Sequence, residues 1–121
     1  MAFPGTYNFN YYKGDTFEFK IYPKNVNGSA FDLSSFTSVG FTISTARGAS
    51  GVANKITCLA SIVNGEHILC TIRPADSTTM TAGISYVYDV EISKTVSGTP
   101  VVHTLLTGTV DVTDQVTGAT A

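Results

Sequence analysis

Asp89 and Glu91 stand two residues apart in the run Ile-Ser-Tyr-Val-Tyr-Asp-Val-Glu-Ile of residues 84–92, and His103 sits in the next apolar stretch. Residues two apart on an extended chain share a face. If a neighbouring strand brings His103 beside the two carboxylates, the three supply the groups of general acid–base chemistry. The same pattern describes the solvated side of an antiparallel sheet, and that plainer reading is the one favoured. A second set is Cys58, Cys70 and His67. A structural zinc needs four ligands, usually at close Cys-x-x-Cys or His spacings, whereas the whole chain holds two Cys and two His. There is no Ser-His-Asp elbow, phosphate-cradling glycine loop or nucleophilic Cys motif. The expectation is a protein that is not an enzyme, with no catalytic, cofactor-binding or metal-binding residues.

The cysteines flank Asn64-Gly65, the strongest short-range hairpin signal in the chain. A three-residue loop, Val63 to Gly65, sets Cys58 directly across from Cys70 and allows a disulfide. A two-residue loop turns them to opposite faces. Reduced thiols acting as small apolar fillers are the expectation for a chain made in a cytoplasm.

These residues need strands to hold them. In residues 84–92, Tyr86, Tyr88, Val90 and Ile92 alternate with Val87, Asp89 and Glu91, the pattern of a half-buried central strand. Before it, Arg73 to Gly83 cannot continue a strand, because Pro74 lacks an amide donor; Ala75, Asp76, Ser77 and Met80 suit a single helical turn ended by Gly83. Phe17, Phe19 and Ile21 alternate with Glu18, Lys20 and Tyr22, a second clear strand. Val39, Phe41 and Ile43 point inward on a third, and Asp32 or Ser34 caps a turn before it. Residues 55–63 and 66–73 form the hairpin around Asn64-Gly65. Lys94 to Pro100 reads as a polar connection. Val101 to Val112 is a last strand broken by Gly108, with Val102, Leu106, Val110 and Val112 on one face and Val101, His103, Leu105 and Asp111 on the other.

Six or more short strands separated by turn residues, with no helix beyond single turns, indicate an all-β chain. The expected architecture is a two-sheet antiparallel immunoglobulin-like sandwich, one domain over residues 1–121, without tryptophan or the usual disulfide pin. Residues 1–12 are an N-terminal arm or first strand, and residues 113–121 a polar tail. A chain of 121 residues can bury a core without staples, and with only 13% charged residues its surface is covered mainly by Ser, Thr, Asn and Gly. A net charge of −2 offers no positive field for phosphates, and no apolar run approaches a bilayer span. Neither nucleic acid nor membrane is an expected partner.

The side chains expected to touch other proteins are Tyr7, Phe9, Tyr11 and Tyr12, aromatic types that carry interface energy when exposed together. Arg47, in a loop over residues 45–54 without apolar period, and Val116, in the tail, complete the set. A glycan surface built on the same tyrosines and phenylalanines is the competing class.

Taken together, Lys-Gly-Asp-Thr-Phe-Glu-Phe at residues 13–19, Phe-Asp-Leu-Ser-Ser-Phe at 31–36, Arg-Pro-Ala-Asp-Ser at 73–77, Ala-Gly-Ile-Ser-Tyr-Val-Tyr-Asp-Val-Glu-Ile at 82–92 and Thr-Leu-Leu-Thr-Gly-Thr-Val-Asp-Val-Thr at 104–113 resemble one family. It is the immunoglobulin-like β-sandwich of bacteriophage virion proteins: the N-terminal domains of upper baseplate proteins and small head and tail proteins. The resemblance runs from about Lys13 to Val116. It implies a non-enzymatic virion structural protein without cofactors, made in the host cytoplasm and binding other virion proteins, with a homo-oligomer left open. Baseplate members usually continue into a further domain or stalk, so the expectation leans to a capsid decoration protein, with a baseplate or tail adaptor as the alternative.

Overall fold

The computed structural model describes residues 5–25, 27–47 and 55–114. Its strands are β1 (Gly5–Thr6), β2 (Phe9–Tyr12), β3 (Phe17–Ile21), β4 (Ser38–Ser44), β5 (Ile56–Val63), β6 (His67–Ile72), β7 (Ser85–Val96) and β8 (Thr99–Thr113), with a 3-10 turn at Pro74–Thr79. The chain is all-β, as its alternation predicts. The hydrogen bonding, however, draws one curled mixed sheet, a half-barrel, in the order β1-β8-β7-β4-β5-β6-β3, with β2 also on β8. The sheet is mixed because β1 and β2 run parallel to β8. It stays continuous because β5 changes partner midway: Ile56 to Cys58 pair with β4, and Leu59 to Val63 pair with β6.

The curl turns the inward positions of every long strand onto a shared core. Phe41 and Ile43 of β4, Ile68, Cys70 and Ile72 of β6 and Tyr88, Val90 and Ile92 of β7 are buried there. Rings pack across the curl: Phe9 of β2 stacks on Phe17 of β3 with centroids 4.6 Å apart, and Phe19 of β3 stands edge-on to Phe41 of β4 at 5.4 Å. Each such buried side chain stabilises the fold by roughly 1.5–3 kcal/mol relative to exposure.

β1 and β2 keep one register on β8, with Gly5 opposite Leu106 and Phe9 opposite Val110. Between them, Tyr7 and Asn8 step over Gly108. The step is bridged by Tyr7 N–H donating to the Thr107 carbonyl at 3.0 Å and by Asn8 Oδ1 accepting from Thr109 N–H at 3.0 Å. Tyr88, directly across from Gly108, donates its hydroxyl to the Tyr7 carbonyl at 2.6 Å. The start of the described chain is thus a first strand closing the core, and not an arm.

Three local expectations are corrected. The β5–β6 turn has positive φ at both Asn64 (53°) and Gly65 (65°), the geometry of a type I′ turn, but Glu66 adds one residue, so Val63 faces His67 and Ala60 faces Cys70. Neither expected register occurs: Cys58 and Cys70 share the buried face without opposing each other, and both are free thiols. Burial pushes each thiol up to about 12, so both stay protonated. Second, the β7–β8 register shifts after Val90, leaving Leu105 without an opposite residue. This bulge reverses the facing of the first half of β8, so Leu105 is buried and Val102 exposed. Third, residues 94–100 are no loose connection, since β7 continues to Val96 and β8 resumes at Thr99 across a Ser97-Gly98 turn with positive φ at both residues.

The predicted helical corner is the 3-10 turn, which ends at Met80 rather than Gly83. Its buried Ser77 hydroxyl donates to the Pro74 carbonyl at 2.7 Å and accepts from Gly14 N–H at 3.1 Å, pinning the corner to the β2–β3 turn. Asp76 accepts from Arg73 Nη2 at 2.8 Å, Arg73 Nε at 3.1 Å and Arg73 N–H at 2.9 Å. Burial alone raises the Asp76 pKa, but these bonds outweigh it and hold the carboxyl below its ordinary 3.8. A lowered folded-state pKa adds stability above pH 3.8 that disappears as pH falls through the folded value. Asp76→Asn is therefore expected to lower the denaturation midpoint at pH 7 and to match the wild type in strong acid. Parallel curves for the two proteins from pH 7 to pH 2 contradict this.

Candidate functional site

The groups that could have done chemistry are separated by the fold. Asp89 and Glu91 lie on the outer face of β7, with Asp89 Oδ2 4.0 Å from Arg47 Nη1. The bulge at Leu105 sets His103 opposite the buried Ile92, on the other face, where its ring meets Phe36 at 5.8 Å and Phe31 at 6.2 Å. No acid–base trio is assembled. His67 is buried against the Tyr22 ring at 4.9 Å, and its Nδ1 sits 3.4 Å from Glu66 Oε1 without hydrogen-bond geometry. Among the described residues no three His, Cys, Asp or Glu side chains come together as a metal site.

The predicted contact residues do not form one surface either. Phe9 and Tyr11 are core, 8% and 1% exposed, and the Tyr11 hydroxyl donates to the Asp15 carbonyl at 2.7 Å. Burial raises the Tyr11 pKa. Tyr7 and Tyr12 remain exposed at 42% and 56%. The strand alternation that buries Phe9 and Tyr11 necessarily turns Asn10 and Tyr12 outward. The aromatic patch that a glycan reader would need is therefore absent from β2. Arg47 is engaged inside the chain, its Nη2 donating to the Tyr88 and Gly108 carbonyls at 3.2 Å each. It fastens the end of its loop to the β7–β8 ladder. Val116 and residues 48–54 lie outside the described residues. A groove of about 390 Å³ is lined by Thr45, Lys55, Ile56, Thr79, Thr81, Ile84 and Tyr86. Its hydroxyls and single ammonium include no nucleophile–base pair.

What the structure does show is two stretches of strand left open to solvent. β4 accompanies β7 only as far as Ser93, and β1 meets β8 only from Leu106, so among the described residues Lys94 to Val101 pair only with each other. Every residue from Thr95 to Pro100 is exposed, and Val96 and Val102 are exposed at 49% and 53%. The base of this hairpin is anchored by Lys94, whose Nζ donates to Ser35 Oγ at 3.1 Å and lies 4.6 Å from the Phe36 ring centre. No protein-family model matches the chain, and no curated protein matches it. The second surface is β3, which pairs with β6 on one side only among the described residues.

The sequence reading missed both. For the hairpin the signal was present in Ser97-Gly98 between Val96 and Thr99, a two-residue turn pair flanked by β-formers. For β3 the alternation was legible, but its place at an edge depends on strand order.

Proposed function

We propose that this chain is a non-enzymatic structural protein of a bacteriophage particle, bound to neighbouring virion proteins, with a capsid decoration protein preferred over a baseplate or tail adaptor. The observation that carries a binding role is the projecting end of the β7–β8 hairpin. A two-stranded ribbon is marginal alone in water, and this one holds Val96, Pro100 and Val102 exposed. A partner that covers them gains apolar burial and orders the ribbon. The assignment to a virion rests on the sequence resemblance. The finer fold reading, an immunoglobulin-like sandwich, rests on the same resemblance and takes the curled sheet as two layers, β2-β8-β7-β4 and β3-β6, joined through β5, which pairs with both.

Immunogold labelling of intact particles tests the reading. Label over the head supports decoration, label at the tail tip supports the adaptor, and unlabelled particles overturn the virion assignment. The double variant Val96→Asp, Val102→Asp changes exposed residues, so its melting should stay within about 1 kcal/mol of wild type, while its incorporation into particles is lost. Normal incorporation of that variant removes the hairpin from the binding role.

A further inference from the structure

We infer that the chain pairs with a second copy of itself through the free edge of β3, as a two-fold symmetric dimer. An edge strand presents amides and carbonyls ready for another chain, and among the described residues β3 pairs with β6 on one side and with no strand on the other, while the Phe9 ring packs on its Phe17. Its sequence, Phe17-Glu18-Phe19-Lys20-Ile21, is self-complementary about Phe19. Antiparallel pairing centred there sets Phe17 opposite Ile21 and Glu18 opposite Lys20 of the second copy. Each crossing occurs twice.

Charge selects this register. A slip of two residues in pairing partner sets Glu18 against Glu18, or Lys20 against Lys20, and like charges directly opposite are destabilising. A slip of one turns the apolar face of one copy against the polar face of the other. Glu18 and Lys20 are both exposed and available: Glu18 Oε2 receives only a 3.5 Å contact from Thr71 Oγ1, and Lys20 has no partner among the described residues. On the other face Phe17, Phe19 and Ile21 are half-buried at the rim of the core, and pairing continues their apolar row across the axis. Tyr22, 50% exposed, follows on the polar side. A two-fold contact closes on itself, so this edge produces a dimer and not a fibre. The inference is independent of the virion reading, because it concerns the purified chain in buffer.

Sedimentation velocity over about 10–200 µM, the range suited to a contact of this modest size, should show a monomer–dimer equilibrium. Glu18→Lys and Lys20→Glu, each checked for unchanged melting, should each weaken the dimer by at least about tenfold, since every crossing then joins like charges. An equimolar mixture of the two variants restores unlike charges at both crossings and should form a heterodimer as readily as wild type dimerises. A wild-type chain that stays monomeric throughout overturns the inference. So do variants that dimerise normally, or a mixture no better associated than its components.

Discussion

Gly108→Ala is expected to lower the melting temperature by about 10–20 °C, a loss of roughly 3–5 kcal/mol from a domain whose total stability is of order 5–15 kcal/mol. A Cβ at this position would fall on the Tyr7 carbonyl oxygen, 2.8 Å from its carbon and 2.9 Å from Asn8 Oδ1. Both are parts of the step by which β1 and β2 cross β8, and one is main chain, so no rotamer change relieves the clash. Relief requires moving the Tyr7–Asn8 segment away from β8. That movement breaks the Tyr7 N–H bond to Thr107, the Asn8 bond to Thr109 N–H and the Tyr88 hydroxyl bond to Tyr7. It also shifts the Gly108 carbonyl that Arg47 holds. The control is Gly40→Ala in β4, where an added Cβ meets nothing within 4 Å. That change is expected to be neutral, or to stabilise by up to about 1 kcal/mol by restricting the unfolded chain. Thermal or urea melts of the two variants decide the matter, and equal midpoints for Gly108→Ala and wild type refute the crossing as a packing constraint.

The same glycine shows where sequence reasoning stopped. Its presence in a strand was visible and suggested a break, but the cause lies a hundred residues earlier in the chain, at Tyr7 and Asn8. β3 and β7 were legible because each buries one face, and period-two alternation then records the facing directly. The first half of β8 was not, because Val101, Val102, Leu105 and Leu106 are apolar on both parities, and a bulge in the pairing with β7 decides between them. The helical corner was readable from Pro74, while the Arg73–Asp76 clasp that fixes it is a matter of side-chain geometry. Among the site residues, the alternation of β2 separates Phe9 and Tyr11 from Asn10 and Tyr12. Which set turned inward depended on β2 pairing with β8, a contact between opposite ends of the chain.

Removing residues 1–12 is expected to leave a chain that does not fold, and this reverses what an N-terminal arm implies. An arm can be cut away with the domain intact. β2 instead supplies Phe9 and Tyr11 to the core, and truncating a buried aromatic side chain to Ala costs about 3–5 kcal/mol. Two such losses, about 6–10 kcal/mol, equal most or all of the stability of an ordinary domain. Three further consequences add to them. Val110 and Val112 of β8, buried beside β2, lose their cover. Phe17 loses the ring stacked on it at 4.6 Å. The Tyr88 hydroxyl, at a side chain 1% exposed, loses the Tyr7 carbonyl it donates to. The shortened chain should lack the cooperative melt of the full chain and expose its two cysteines to alkylation without denaturant. Phe9→Ala alone, which keeps the backbone pairing, should still fold, with its stability lowered by about 3–5 kcal/mol. A chain starting at Lys13 that melts cooperatively near the full-length midpoint would return residues 5–12 to the status of an arm. Particle binding could then be assigned to them, because the fold would no longer need their aromatic side chains.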